Sequence, residues 1–158
     1  MQLLAQEEYG LRCLLQVARN HGPDPLTIPE IAEREGLSPE YAAKLMRALR
    51  QADLVVSTRG AGGGYRLARP ASEMTVWQFI QVLGGSLFPA GLCETHPGLR
   101  HDCVHSTGCS LRGLWSSVEH AIRGVLENVT VAQLARDDST LLAIGSPPQE
   151  QESPQEAR

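Results

Sequence analysis

Three short amphipathic stripes, separated by glycine and proline breaks and followed by a glycine-rich hairpin, constrain the fold of this chain most. Leu11, Leu14, Leu15 and Ala18 recur at helical spacing, so residues about 4–20 read as an amphipathic helix. His21-Gly22-Pro23 ends it. Thr27-Ile-Pro-Glu30 is a capping box with proline in the first turn, and Ile28, Ile31 and Ala32 form the buried stripe behind it. Gly36-Leu37-Ser38 makes a turn. Ser38 suits an N-cap, Pro39 the first helical position, and Glu40 the positive end of the helix dipole. Ala42, Leu45, Met46 and Leu49 then mark a third helix. Helix, short glycine turn, helix is the helix-turn-helix arrangement.

Two strand candidates follow, Leu54-Val55-Val56 and Tyr65-Arg66-Leu67. Between them Gly60, Gly62, Gly63 and Gly64 permit positive φ and a tight hairpin tip. A hairpin straight after a helix-turn-helix is a wing. The expected fold is mainly α with a small β-hairpin wing, a winged helix-turn-helix continued by a long helix. Thr75-Val-Trp-Gln78 caps a helix carrying Val76, Phe79, Ile80 and Leu83, closed by Gly84-Gly85. Residues 86–109 read as loop. Leu111, Leu114, Trp115, Val118, Ile122 and Val125 then stripe a long helix at 110–127, and Thr130-Val-Ala-Gln133 caps a last short one. The chain therefore divides into a DNA-binding domain at 1–70, a loop and long helix at 71–138, and a disordered tail at 139–158 with no apolar periodicity.

A recognition helix enters the major groove and offers its polar N-terminal residues to base edges and phosphates. Here that set is Ser38, Glu40, Tyr41 and Lys44, with Arg47 further along. Arg59 at the hairpin tip suits the adjacent minor groove, where negative potential favours arginine. The backbone at Gly62, Gly63 and Gly64 can approach phosphates closely. Taken singly, Arg59 is equally a solvated turn residue and Tyr41 a partly buried core residue. The net charge of −4 excludes a wholesale polycation, but the charges are unevenly placed. Residues 1–70 carry 9 Lys+Arg and 8 Asp+Glu; residues 71–158 carry 5 and 10. Within 44–69 six cations face the single acid Asp53. The glycine run lacks the Gly-Lys-Ser/Thr of a P-loop and no helix follows it, which removes a nucleotide cradle. No nucleophile–base–orienter set suggests an enzyme. No stretch is apolar enough to span a membrane, and no export signal is visible, so a cytoplasmic, reducing environment is expected.

In such an environment clustered thiols point to metal before disulfide. Cys93, His96, His101, Cys103, His105 and Cys109 lie within 17 residues. The thiols are spaced C-x9-C-x5-C, neither a zinc-finger nor a ferredoxin pattern. Three thiolates in one loop can anchor an iron–sulfur cluster or a tetrahedral zinc, each with one further ligand. The histidines favour zinc somewhat, and a bare thiol switch is the third possibility. Cys13, on the apolar side of the first helix, reads as a small core residue.

These residues together resemble the iron–sulfur-dependent winged-helix regulators of the IscR/NsrR type, over about residues 1–138. The resemblance is carried by Tyr9, by Ile31-Ala-Glu-Arg-Glu-Gly-Leu-Ser38, by Tyr41, Leu45 and Leu49-Arg50, by Arg59 with Gly62-Gly-Gly-Tyr65, and by Leu114-Trp115 through Leu126-Glu-Asn-Val-Thr130. It implies a homodimer on a near-palindromic operator in double-stranded DNA, paired through the helix carrying Leu111, Leu114, Trp115, Val118, Ile122 and Val125. It also implies a 2Fe–2S or 4Fe–4S cluster on Cys93, Cys103 and Cys109, whose loss, oxidation or nitrosylation alters DNA affinity. Two departures stand out. The gap between Cys93 and Cys103 is longer than the family pattern, and Arg112 stands where the biogenesis regulators carry a histidine ligand. Arginine cannot ligate iron. The nitric-oxide sensors use a carboxylate from the first helix of the other subunit, and Glu8 stands there; His101 and His105 are its rivals. A cluster carrier is the alternative of a different class, but it would have no use for a wing and a recognition helix.

Overall fold

The computed structural model of the chain describes residues 4–60, 62–84, 105 and 108–136. Along them run α1 (Ala5–Arg19), α2 (Ile28–Glu35), α3 (Pro39–Gln51), β1 (Val55–Thr58), β2 (Gly64–Leu67), a 3-10 turn at Ala71–Glu73, α4 (Val76–Leu83), α5 (Ser110–Glu127) and α6 (Val131–Arg136). The mainly helical architecture with a hairpin wing is the one expected. Most of the loop expected at 86–109 and all of the tail expected at 139–158 lie outside the described residues.

Local chemistry accounts for where the helices begin. At the start of α2 the Thr27 N–H donates to Glu30 Oε2 at 2.8 Å while the Glu30 N–H returns a bond to Thr27 Oγ1, so both orphan groups are satisfied. The side-chain and then the backbone hydrogen bond from Thr27 hold the Glu30 carboxyl below its ordinary range. Ser38 Oγ accepts from the Tyr41 N–H at 3.2 Å and starts α3. Thr75 and Gln78 repeat the reciprocal box at α4.

The two helix-turn-helix helices also end alike. Gly36 takes the left-handed conformation at φ 64, and the Leu37 N–H reaches back to Ala32 O at 2.9 Å. At the end of α3 a non-glycine residue does the same. Asp53 sits at φ 55, its N–H donates to Arg50 O, and the Leu54 N–H donates to Leu49 O at 3.0 Å. Both are Schellman closures, and aspartate is among the few side chains that tolerate the left-handed region.

One apolar core gathers the stripes. Cys13, Leu14 and Val17 of α1 meet Ile31 and Ala32 of α2, Ala42, Leu45, Met46 and Leu49 of α3, and Phe79 and Ile80 of α4; Val129 and Val131 join from the far end of the chain. Helix α1 touches α2, α3, α4 and α6. Close approach explains Gly10 on α1, where a Cβ would collide with the Leu83 side chain and press on Phe79. Arg19 ties the ends together by donating to the carbonyls of Leu134 and Ala135, each at 3.3 Å. The loop before α4 is held by an isolated bridge between Thr75 and Thr130.

The wing is an antiparallel pair in the register Val55↔Leu67, Val56↔Arg66, Ser57↔Tyr65 and Thr58↔Gly64. It has a third partner that the Asp24-Pro25 break concealed. The Leu26 and Tyr65 backbones exchange bonds of 3.0 and 2.8 Å, and Arg66 donates to the Pro23 carbonyl. The glycines of the wing are required for two different reasons. Gly60 alone among the described wing glycines uses positive φ, at 109. Gly63 and Gly64 are required by close approach instead. A Cβ on Gly63 would lie 2.6 Å from Thr58 O, and one on Gly64 would lie 2.8 Å from Leu26 O and 2.9 Å from Pro25 O. The positive φ that the run permits is used at Gly60. Gly64→Ala is expected to destabilise the fold by about 1–3 kcal/mol, because the obstructing atoms are backbone and cannot rotate away. Thermal unfolding and amide exchange at Tyr65 check this; an unchanged melting temperature with a protected Tyr65 amide contradicts it.

Candidate DNA interface and thiol site

Helix α3 turns Ala42, Leu45, Met46 and Leu49 inward. Glu40, Lys44 and Arg47 are exposed on the opposite side, and Ser38 is exposed at its start. These positions follow i, i+4, i+7 and so share one face. Tyr41 is half-buried, its ring edge-on to Tyr9 with centroids 6.1 Å apart and planes at 80°. It thus has a packing role as well as a place beside the exposed face. The Ser38 hydroxyl is occupied in capping through one lone pair and keeps its own hydrogen to donate. Arg59 is exposed on the wing next to Gly60, and Gly62 faces open space; Gly63 and Gly64 are half-buried.

Pairing along the sequence does not reveal how α1 and α2 are locked together. Arg12 Nε donates to Glu35 Oε2 at 2.6 Å, and Gln16 Nε2 donates to Glu35 Oε1 at 2.5 Å. The Arg12 guanidinium also lies over the Tyr9 ring, 5.2 Å from its centroid. The hydrogen bond to Glu35 is the main reason the Arg12 pKa is raised, and Glu8 contributes a smaller electrostatic push. Glu35 at the end of one apolar stripe offered no signal for this, since its partners lie 23 and 19 residues away.

The thiols divide sharply. Cys13 has no exposed surface, and burial pushes its thiol up to about 12. It stays protonated and packed, as expected of a core cysteine. Cys109 is half-buried and is the N-cap of α5. His105 is exposed. Cys93, His101 and Cys103 lie outside the described residues. Among the described residues no three potential metal ligands gather.

Glu8 is exposed on the first turn of α1, while its neighbour Glu7 is buried, accepting the Leu4 N–H at 2.7 Å and lying against Gly84. Sequence pattern did not separate these adjacent acids. Burial does: Glu7 is committed to the fold, and Glu8 faces outward.

Helix α5 buries none of its side chains. Leu111, Leu114, Trp115 and Val125 are 57%, 51%, 38% and 48% exposed, and Val118 and Ile122 are half-buried. Its far end is anchored by Leu126 against the core and by Arg123 over the Trp77 ring at 5.8 Å.

Residues 3–137 match the model of the Rrf2 family, described as iron-dependent transcriptional regulators. The chain belongs to the Rrf2 family. The protein rrf2 of Nitratidesulfovibrio vulgaris is 35% identical over 139 residues, spanning 88% of this chain and 90% of that one. The transcriptional regulator IscR of Photobacterium profundum is 34% identical over 88% of this chain and 78% of its own length. Among solved structures, CymR, titled the global cysteine regulator of B. subtilis, is similar with a TM-score of 0.69 and 30% identity over 85% of this chain and 96% of its own. IscR of T. potens follows with a TM-score of 0.67 and 32% identity over 85% of each chain. As a member of the Rrf2 family the chain is a DNA-binding transcription regulator of winged-helix fold and not an enzyme. None of the Rrf2 chain's described helices is long and apolar enough to cross a membrane.

Proposed function

We propose that this chain is a homodimeric repressor whose affinity for a near-palindromic operator is set by an iron–sulfur cluster reporting redox state, nitric oxide or cluster supply. The observation that carries the reading is Cys109: a half-buried cysteine at the positive end of α5, the last of three thiols in one segment of a chain belonging to a family of iron-dependent regulators. The donor chemistry fits. Thiolates suit iron and sulfide, and an exposed carboxylate is a harder, weaker ligand for one iron. Cys93, Cys103 and Cys109 would hold the cluster, with Glu8 of the other subunit as fourth ligand and His101 or His105 as rivals. When bound, the cluster supplies a centre that oxidants and nitric oxide can attack.

The chain's own residues do the rest. Residues 1–70 form the DNA-binding part; 71–138 carry the loop and α5. Glu40, Lys44 and Arg47 present one polar face to the major groove, with Ser38 and Tyr41 at its start, while Arg59 reaches the minor groove and Gly62, Gly63 and Gly64 bring the wing backbone near phosphate. Glu8 and Arg12 share α1, and Arg12 grips Glu35 at the end of α2. A ligand held by Glu8 would act on the same helix that seats the helix-turn-helix, a route by which cluster state would bias the placement of the two DNA-binding domains.

The test is anaerobic purification with visible absorption, iron, sulfide and zinc analysis on one sample. Charge-transfer bands with matching iron and acid-labile sulfide are expected. A colourless protein with stoichiometric zinc, even after cluster reconstitution, removes the cluster. A second reading is the same fold with a structural zinc or a bare thiol switch; the likeness to CymR of Staphylococcus aureus, solved in an oxidized form, favours the thiol switch.

A further inference from the structure

The face that α3 turns outward carries cations and one acid. Lys44 and Arg47 are exposed along it, and so is Glu40, one turn ahead of Lys44 and two turns ahead of Arg47. Glu40 is the second residue of α3, at the end of a recognition helix that meets the base edges. The start of the helix does not need its carboxylate. Ser38 Oγ already takes the Tyr41 N–H, and Pro39 has no N–H to offer. Among the described residues no ion pair engages Glu40, although Lys44 stands at the spacing of a helical pair. The flanking side chains of Pro39 and Ala43 cannot hydrogen-bond. Glu40 is thus a long, charged, uncommitted acceptor on a surface otherwise suited to an anion.

An acid on a surface that meets DNA is opposed by the phosphates around it. It is tolerated where a donor faces it. In the major groove the donors are the N4 amino group of cytosine and the N6 amino group of adenine; guanine shows N7 and O6, and thymine shows O4 and a methyl group. Adenine sets its N7 acceptor beside the amino group, where it would oppose the second carboxylate oxygen. Cytosine has no such acceptor. We propose that Glu40 is a specificity-determining residue, its carboxylate accepting from the N4 amino group of a cytosine in each half of the operator. The proposal rests on the DNA-binding reading and deepens it by assigning a base. Cytosine gains a charge-assisted hydrogen bond, whereas guanine or thymine at the same place would set acceptor against acceptor. The ordinary alternative is an acid that favours the positive end of the helix dipole. That role is indifferent to the base opposite.

Selection by the full chain from a pool of duplexes with a randomised core tests this, followed by fluorescence anisotropy on the selected duplex and its single-base variants. The unaltered chain should enrich a fixed cytosine in each half-site. Exchanging that C·G pair for T·A should weaken binding about 5–150-fold. Glu40→Gln should move the preference to adenine, whose N6 and N7 match a glutamine amide. Glu40→Ala should accept all four bases there while its preferences elsewhere in the site persist. Both variants should bind a duplex lacking the site more tightly than the unaltered chain does, because an anion has left the face. Identical preferences in the unaltered chain and in Glu40→Ala overturn the assignment. So does enrichment of any base other than cytosine at the position that Glu40→Ala relaxes. A lowered melting temperature in both variants with base preference unmoved also overturns it, because Glu40 would then serve the helix alone. If the unaltered chain binds duplex but enriches no base, this assignment alone falls; if it binds no duplex, the DNA-binding reading falls with it.

Discussion

Leu114→Glu is expected to leave a folded chain that sediments as a monomer and has lost operator affinity by about 10²–10⁴-fold. Leu114 is half exposed and sits mid-stripe with Leu111, Trp115 and Val118 on a helix with no buried side chain. Monomeric proteins rarely leave a contiguous apolar stripe open to water, and a stripe of this kind marks an association surface. A two-fold partner would cover it with its own copy, burying the same side chains on both sides. Placing a carboxylate there costs little in the lone chain and much in the dimer, where its charge would be desolvated opposite its mate. The two half-sites of a near-palindrome then lose the gain of simultaneous engagement. Sedimentation and anisotropy on the same sample decide it. A dimer that persists would move the interface away from this part of α5.

Phe79→Ala is expected to cost about 3–5 kcal/mol, a large part of the ~5–15 kcal/mol available to a domain of this kind. Phe79 is fully buried, the largest such side chain in the core, and presses toward the Gly10 backbone of α1. The cavity left behind would lie between α1 and α4 and could not be refilled from Gly10, which has no side chain. The melting temperature should fall by about 6–20 °C, taking roughly 2–4 °C per kcal/mol for this chain length. Thermal unfolding followed by circular dichroism measures it. A fall of less than a few degrees would mean that α1 and α4 close on each other, and the core is less rigid than the packing implies.

Helix starts were legible because their signals are local. Thr27 with Glu30, Ser38 with Pro39, and Thr75 with Gln78 each carry the whole cap within four residues, and all three caps form. The long helix was legible from its stripe, and its observed span is Ser110–Glu127. What stayed hidden is non-local or depends on a backbone conformation that composition does not mark. Asp53 closes α3 in the left-handed region where glycine is the usual choice. Leu26 pairs with Tyr65 across 39 residues, behind a proline break. Gly63 and Gly64 are glycine because a neighbouring carbonyl occupies the space of a Cβ, which spacing cannot reveal. At the candidate site, periodicity identified the exposed face of α3 but could not place Arg50 beside the wing, where its Nη1 donates to Ser57 Oγ at 3.3 Å. Likewise the adjacent acids Glu7 and Glu8 look alike in sequence, and only packing against Gly84 separates the buried one from the exposed one.

The clasp between Arg19 and the carbonyls of Leu134 and Ala135 has a consequence for synthesis. A chain leaves the ribosome from its N-terminus, and domains ordinarily fold as they emerge. Here α1 is made before the other described elements, yet it packs against α6, the last of them to appear, and Val129 and Val131 complete the same core. The recognition helix would therefore be translated long before the support beneath it is finished. Until residue 136 clears the exit tunnel, the face of α1 awaiting α6 remains uncovered. A nascent or truncated chain would carry the DNA-reading surface without its completed base, so competence to occupy an operator would arrive only once α6 has been made.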